Sequence, residues 1–183
     1  NKKFNEITWF YVSNENSAGT MNPEPDSYVT YNYAENVWTV GSLDRNVWLD
    51  AQGFRNVPFA FDADGRLYEH ESGNSNNGSA MNCFIESGEL EIDETGNRTF
   101  LIDKIVPDAT LSEDTNLFVE FKCRKYPNGT EITKGPFTVT SNTQKVSTRA
   151  KGRQISVKYS STGVNDDWSL GDFRINTTED SFR

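Results

Sequence analysis

In the stretch Leu117-Phe-Val-Glu-Phe-Lys-Cys-Arg-Lys125, the apolar residues Leu117, Val119, Phe121 and Cys123 alternate with the charged residues Glu120, Lys122 and Arg124. A period of two is typical of a β-strand that buries one face. The same alternation recurs at residues 137–140, 154–160 and 170–176. No window shows apolar residues at helical spacing over three turns. The sequence therefore predicts an all-β protein with at most short helical turns.

The organisation of the chain changes at residues 72–79, which are mostly Asn, Ser and Gly and have the composition of a flexible linker. We therefore expect two domains, residues 1–79 and 80–183. The first contains short aromatic strands at 7–12, 28–33 and 37–41, and a hairpin turn at Asp64-Gly65. The second has the strand density of a two-sheet sandwich of about 100 residues, with strands expected at 89–92, 99–106, 117–125, 137–140, 145–150, 154–160 and 170–176.

The composition excludes several function classes. No apolar run approaches the ~18 residues of a membrane span, so no membrane-spanning segment is expected. His70 is the only histidine, which argues against multi-histidine metal sites and mechanisms with a histidine base. Cys83 and Cys123 have no metal-ligand spacing, and we expect both to be buried free thiols. No metal or cofactor is predicted.

Three short motifs resemble catalytic or binding sites only in part. Asp62-Ala-Asp-Gly could begin a calcium loop, but the twelfth position is Gly73 where a Glu is needed, so a hairpin turn is favoured. Asp166 and Asp167 precede Trp168, yet adjacent strand residues point to opposite faces, which favours a turn over a carboxylate pair. His70 is interpreted as a hydrogen-bonded strand residue. The sequence predicts no catalytic residues and no enzyme.

The charge distribution is more informative than the net charge of −9. Residues 1–120 carry a net −14, residues 121–158 a net +8 and residues 159–183 a net −3. Alternation places Lys122, Arg124 and Lys158 on exposed strand faces. Such a patch favours phosphate or an acidic neighbour, so the basic band is predicted to face either an adjacent subunit or DNA, with a merely solvated face as the third possibility. Its members are Lys122, Arg124, Lys125, Lys145, Arg149, Lys151, Arg153 and Lys158.

The segment Tyr28-Val-Thr-Tyr-Asn-Tyr-Ala-Glu-Asn-Val-Trp-Thr-Val-Gly41 resembles the outer hairpin of a kelch-type propeller blade. The following aromatic hairpin around Asp64-Gly65 looks like the inner half of a further blade. A complete propeller has 4–8 blades, so residues 1–79 would supply only one or two. The resemblance implies a hairpin core formed by Trp9, Tyr31, Trp38 and Tyr68. The expected fold is therefore partial β-propeller blades followed by an antiparallel β-sandwich.

A succession of short blocks in fixed order resembles the C-terminal part of tail nozzle or tail hub proteins of tailed phages, also called DNA-stabilisation proteins. The blocks include Trp9-Phe-Tyr-Val-Ser13, Gly41-Ser-Leu-Asp-Arg45, Gly135-Pro-Phe-Thr-Val139 and Asp166-Asp-Trp-Ser-Leu-Gly-Asp-Phe-Arg174. The family's early blades are not in this chain, so we expect it to be part of a longer polypeptide. The resemblance implies a non-enzymatic virion protein, assembled in the host cytoplasm as a ring of copies, with six suspected. Adaptor or fibre proteins, and double-stranded DNA passing through the channel, would be its other partners.

Two alternatives from other classes remain open. A carbohydrate-binding β-sandwich could use Trp48 or Trp168 as a stacking platform. A glycosidase fragment is the third interpretation, although the sequence offers no credible pair of carboxylates. In the structural interpretation, the loop at residues 14–25 is a candidate contact with other proteins.

Overall fold

The structure is a computed structural model that describes residues 1, 3–17, 23–53, 55–91 and 98–180. It is predominantly β, and its one described helix, α1 (Asn14–Ser17), has four residues. The all-β prediction is confirmed. None of the helices in the described ranges has the length and apolar character needed to cross a membrane.

The chain divides into two compact units, Asn1–Ser72 and Gly73–Arg183. We call them the first and the second unit. The predicted limit at residues 79/80 lies at the end of the polar segment 72–79, and the observed division lies at its start.

The first unit begins with an antiparallel three-stranded sheet, in the order β1 (Glu6–Tyr11), β2 (Ser27–Asn32), β3 (Val37–Ser42). The β2–β3 turn is closed by Asn32, whose side-chain oxygen accepts hydrogen bonds from the backbone N–H groups of Ala34 and Glu35. Asn36 adopts a positive φ of 57°, which asparagine tolerates better than most residues. Gly41 pairs with Tyr28, and the tyrosine ring occupies the space that a Cβ at Gly41 would need. This hairpin therefore has the turn and the glycine that its register requires.

A second three-stranded sheet follows in the same unit, formed by β4 (Val47–Leu49), β5 (Phe59–Phe61) and β6 (Leu67–Glu69). The expected β5–β6 hairpin is present. Asp62 closes its turn, because its Oδ1 accepts the Arg66 N–H at 2.8 Å and its Oδ2 accepts the Tyr68 hydroxyl at 3.0 Å. Gly65 has a φ of 79° at this turn. The Asp62 carboxylate thus serves the hairpin turn that the sequence favoured.

The second unit contains a four-stranded sheet in the order β11-β10-β13-β7 and a three-stranded sheet in the order β12-β8-β15. A two-stranded pair, β14-β9, completes it. All these pairings are antiparallel. The strand bounds are β7 (Cys83–Glu86), β8 (Thr99–Val106), β9 (Ala109–Leu111), β10 (Leu117–Arg124), β11 (Ile132–Val139), β12 (Val146–Gly152), β13 (Gln154–Ser161), β14 (Trp168–Leu170) and β15 (Arg174–Asp180).

One apolar cluster holds the second unit together. The inward residues of β10, which are Leu117, Val119, Phe121 and Cys123, are all buried, as their alternation predicted. They pack with residues of β13 and with Phe100, Ile102 and Ile105 of β8, so both larger sheets contribute to the same core. The outer faces of the two sheets consequently point away from each other.

Several strand predictions need correction. β11 extends over Ile132–Val139, well before the predicted 137–140, although it contains Gly135 and Pro136. It lies at the edge of its sheet, where a proline that cannot donate a ladder hydrogen bond is tolerated. The prediction of a strand at 89–92 is wrong for residues 89–91, which the structure describes. Among them, Leu90 forms only an isolated bridge with Ile155, and the strand that pairs with β13 at this edge is β7.

The predicted strand 170–176 is two strands in the structure. β14 ends at Leu170 and pairs with β9, whereas β15 begins at Arg174 and pairs with β8. Between them the Gly171 N–H donates to the Asp108 carbonyl at 2.6 Å. The strands β4, β7 and β9 were not predicted, because segments of three or four residues carry too little alternation to be recognised.

Candidate interaction surfaces

Three of the predicted hairpin-core aromatics lie together on one face of the first sheet. The Trp38 ring stacks on Tyr31 with centroids 4.5 Å apart and on Trp9 with centroids 6.0 Å apart. Trp9 is nevertheless 46% exposed and Trp38 59% exposed. These side chains form an aromatic ladder on the surface rather than a buried core. Tyr68 lies on β6, in the other sheet of the unit.

The aromatic ladder belongs to a larger uncharged surface. Cross-strand register places nine side chains on this face, and we call it the first outer face: Ile7, Trp9, Tyr11, Ser27, Val29, Tyr31, Trp38, Val40 and Ser42. All nine are described, and none of them is charged. Val40 is 76% exposed, and Ile7 and Tyr11 are each nearly half exposed.

The sheet β4-β5-β6 has a comparable face, formed by Val47, Leu49, Phe59, Phe61, Leu67 and Glu69, which we call the second outer face. Val47, Leu49 and Leu67 are more than half exposed. The Arg55 guanidinium lies 4.3 Å from the centre of the Phe59 ring. Three of its six side chains are therefore aliphatic, and it also carries two aromatic rings, one of them beside a cation, and the Glu69 carboxylate.

The two sheets of the first unit turn their other faces toward each other. Phe10 projects from the inner face of the first sheet and contacts Trp48 of the second, with ring centroids 5.5 Å apart. Between the sheets lies an open cavity of about 950 Å³. Tyr28 and Trp48 line it together with polar groups that include Thr8, Thr30, Asp50, Gln52 and Asn56.

One carboxylate that lines the cavity, Glu6, has a shifted pKa. Glu6 and Glu71 both line it, and burial, followed by the nearby charge of Glu71, raises the pKa of Glu6 above its ordinary value. Trp48 donates its Nε1–H to the Asp50 carboxylate at 2.9 Å. An aromatic ring beside carboxylate and amide groups offers both stacking and hydrogen bonding to a polar ligand.

His70 lies directly after β6 and is half-buried. Its Nε2 accepts a hydrogen bond from Arg45 Nε at 3.2 Å, and its ring centroid lies 4.7 Å from that of Trp48. Burial, together with the Arg45 charge, lowers the pKa of His70. The residue is hydrogen-bonded, as the sequence interpretation expected, although it lies just beyond the strand.

The predicted basic band is distributed over two opposite surfaces of the second unit. Lys122, Arg124 and Lys158 lie on the outer face of the four-stranded sheet, where register also places Glu86 and Glu120. Lys122 Nζ lies 2.5 Å from Glu86, and Arg124 bridges Glu89 at 2.6 Å and Glu131 at 2.8 Å. The hydrogen bond to Glu86 is the main cause that raises the pKa of Lys122. This part of the band is therefore largely neutralised within the chain.

Arg149 and Lys151 lie on the exposed side of β12, on the outer face of the three-stranded sheet. Lys145 precedes that strand and is exposed, and Lys104 lies on the neighbouring β8, where it pairs in register with Ser147. Lys125 and Arg153 lie at the ends of β10 and β13, and the Arg153 guanidinium lies 4.9 Å from the centre of the Tyr126 ring. The structure thus brings together Lys145, Arg149 and Lys151, and separates them from Lys122 and Arg124.

The remaining candidate residues have structural contacts. The Asp166 carboxylate accepts the Gly163 N–H at 2.7 Å, and the Asp167 N–H donates to Thr115 Oγ1 at 3.0 Å. Trp168 packs against the core and donates its Nε1–H to Ser161 at 2.9 Å. These contacts agree with a turn that leads into a strand. Of the predicted loop contact at residues 14–25, residues 18–22 lie outside the described residues.

The two cysteines differ from each other. Cys123 is a buried free thiol as predicted, and burial raises its pKa to about 11. The prediction for Cys83 is wrong, because this free thiol is exposed. It begins β7, which lies at the edge of the four-stranded sheet, and every residue of that strand is exposed.

The sequence reasoning missed the two outer faces. The sequence of β1 contains a signal for the first outer face. Ile7, Trp9 and Tyr11 make one side of this strand apolar, and Phe10 adds an aromatic ring to the other side. A strand with aromatic side chains on both of its sides and no charge at its centre predicts contacts on both faces.

A scan against models of protein families finds none that matches this chain, and a search of curated proteins finds no match.

Proposed function

We propose that this chain is a non-enzymatic structural component of a phage tail, of the nozzle or hub kind. The observation that supports this most directly is the first outer face, which is uncharged, aromatic and about half exposed. Large exposed apolar patches on proteins in water mark surfaces that bind other proteins or ligands. The ordered blocks that resemble tail nozzle and hub proteins supply the class of assembly.

In this proposal the two three-stranded sheets of the first unit are incomplete propeller blades, and the second unit is the β-sandwich of the family. A propeller blade has four strands and packs face to face on its neighbours. Each of the two sheets has three strands and exposed apolar side chains on its outer face, which is consistent with blades that lack neighbours. The complete ring would require further blades or further copies of the chain.

The charged surfaces have separate roles in the proposal. The cluster Lys145, Arg149 and Lys151 would contact an acidic surface of a neighbouring subunit, since the first 120 residues carry a net −14. Contact with DNA in the conduit is the competing possibility for the same residues. The ion pairs of Lys122 and Arg124 would stabilise the unit itself.

The proposal is tested on phage particles that encode this chain. Antibodies raised against the recombinant protein are applied to intact particles and viewed by immunogold electron microscopy, with pre-immune serum as the control. We expect gold at the tail below the portal. Particles whose purified proteins lack the chain by mass spectrometry would reject a virion role.

A second candidate function is carbohydrate binding, which is favoured by the cavity that Trp48 lines together with Glu6, Asp50 and Gln52. The structure makes Trp48 the better platform, because Trp168 is packed against the core. The test is affinity electrophoresis through gels that contain polysaccharide. Retardation that Trp48→Ala abolishes and the matched control Trp38→Ala preserves would favour this function over the structural one.

A further inference from the structure

The first and second outer faces point away from each other across the first unit. Their sheets contact through their inner faces, where Phe10 meets Trp48 and the cavity lies. An apolar sheet face is normally covered by another layer of structure at a spacing of about 10 Å. Here both outer layers are uncovered in the described residues, and each has three or more large apolar side chains exposed.

The area of the first outer face is sufficient for a stable contact. An aromatic side chain buries roughly 150–250 Å² when covered, so the exposed halves of Trp9, Tyr11 and Trp38 offer about 300 Å². Ile7 and Val40 raise the apolar area to about 500 Å². A standard interface buries ~800 Å² on each partner, a little over half of it apolar. The face therefore supplies about the apolar area that one side of a standard interface requires.

The chemistry of the two outer faces is complementary. The first is rich in aromatic rings and has no charge, while the second presents the branched side chains of Val47, Leu49 and Leu67 beside two phenylalanine rings and the Glu69 carboxylate. Aromatic and branched aliphatic side chains are favourable partners across β-structure. Arg55, which lies over Phe59 of the second outer face, also suits an aromatic surface that accepts cations.

We infer that copies of this chain associate head to tail, with the first outer face of one copy packed on the second outer face of the next. This inference rests on the proposed structural function and assigns the surfaces that carry it. A contact between two different faces leaves one face of each kind free at the ends, so it continues into a chain of copies or closes into a ring. A symmetric contact between two first outer faces would leave both second outer faces uncovered.

The test uses one charge substitution on each face of the full chain. Val40→Glu places a carboxylate at the most exposed position of the first outer face, and Leu49→Glu does so on the second. Val164→Glu is the matched control, because Val164 is similarly exposed but lies in the second unit. Circular dichroism checks that each variant keeps its strands, and sedimentation velocity measures the association.

We expect the unmodified chain and Val164→Glu to form species larger than dimers at concentrations up to about 100 µM, within the range of affinities that standard interfaces give. Val40→Glu and Leu49→Glu should each remain monomeric when alone. An equimolar mixture should form one-to-one dimers and nothing larger, because only one intact pair of faces is present.

Other results would overturn the inference. A monomeric unmodified chain over this range would reject association through these faces. Association that survives Leu49→Glu but not Val40→Glu would show a symmetric contact of the first outer face. If gold labelled the phage tails but the chain were monomeric, this pairing would be rejected and the proposed function would stand. If the chain associated head to tail but were absent from the virion, the pairing would stand and the proposed function would be rejected.

Discussion

The second unit buries thirteen apolar side chains in one cluster, whereas the first unit buries only Thr30, Pro58 and Ala60 among its described residues. The first unit has its large side chains half exposed on two outer faces instead. Folding free energy comes mainly from apolar area removed from water. The contrast predicts that the second unit keeps its fold by itself, while in the proposed assembly the first unit would gain part of its stability from contacts with other molecules.

The largest expected effect on stability comes from a test that removes one aromatic side chain from each unit. Phe121→Ala empties a fully buried position of the second unit and should lower its free energy of unfolding by about 3–5 kcal/mol. Trp38→Ala removes a bigger side chain from the first unit, yet should cost only about 1 kcal/mol in the isolated chain, since the stacked ring is mostly exposed. Urea unfolding followed by circular dichroism and tryptophan fluorescence measures both.

Phe84→Ala is the control in the second unit, because Phe84 is 64% exposed, and it should behave like Trp38→Ala. A loss at Trp38 as large as that at Phe121 would mean that the first unit has a core of its own and would remove the contrast.

The sequence was informative where a single face is buried. In β10 the alternating residues Leu117, Val119, Phe121 and Cys123 are buried and the residues between them are not, so alternation predicted both the strand and its orientation. In β1, Trp9 and Phe10 are equally apolar, and only the fold determines that Phe10 faces the cavity. The aromatic hairpin could thus be predicted, but not the exposure of its ladder.

The basic band shows a second limit of sequence reasoning. Lys122 and Lys151 belong to one stretch of positive charge, but the sheets on which they lie face in opposite directions. Two of the three acids that pair with the first group, Glu86 and Glu89, lie outside that stretch and become neighbours only through the fold, whereas Glu131 lies within it. Counting charge along the chain does not detect such long-range pairs.

The next largest effect on the free energy of unfolding is expected from a buried hydroxyl group inside the second unit. The Tyr159 hydroxyl is buried and has no hydrogen-bond partner among the described residues, and burial raises the pKa of this tyrosine. Leaving a buried polar group unpaired costs about 1–3 kcal/mol. Tyr159→Phe should therefore stabilise the second unit by about 1 kcal/mol, measured as a higher urea midpoint.

Tyr31→Phe provides the comparison in the first unit. Its exposed hydroxyl donates to Asn36 at 3.0 Å, so its removal should leave stability unchanged or slightly lower. Destabilisation by Tyr159→Phe would show that the buried hydroxyl has a partner.

A smaller effect is expected for the ion pairs on the second unit. Arg124 contacts two carboxylates, and its side chain is 35% exposed, so solvent weakens the interaction. Arg124→Ala should lower the free energy of unfolding by about 0.5–1 kcal/mol at low salt, and by less in high salt. Arg149→Ala, at an exposed position of β12, should have no measurable effect on stability. Equal losses for both arginines would contradict the expected contribution of the two Arg124 ion pairs to stability.

The smallest effect is a pH dependence confined to the first unit. Burial and the Arg45 charge lower the pKa of His70 in the folded state below its ordinary value of 6.5, so the unfolded chain binds the proton more tightly. The stability that the neutral imidazole contributes is therefore complete above about pH 6.5 and is lost as the pH falls toward the folded-state value. His70→Gln should flatten the dependence of the urea midpoint on pH between about pH 5 and 7, with the midpoint of the first unit followed by fluorescence.

Because His70 is the only histidine in the chain, the unfolding of the second unit serves as an internal control that the substitution should not change. A slope that persisted in His70→Gln would exclude His70 as its source, and Glu6 could not replace it, because the raised pKa of Glu6 makes stability fall as the pH rises.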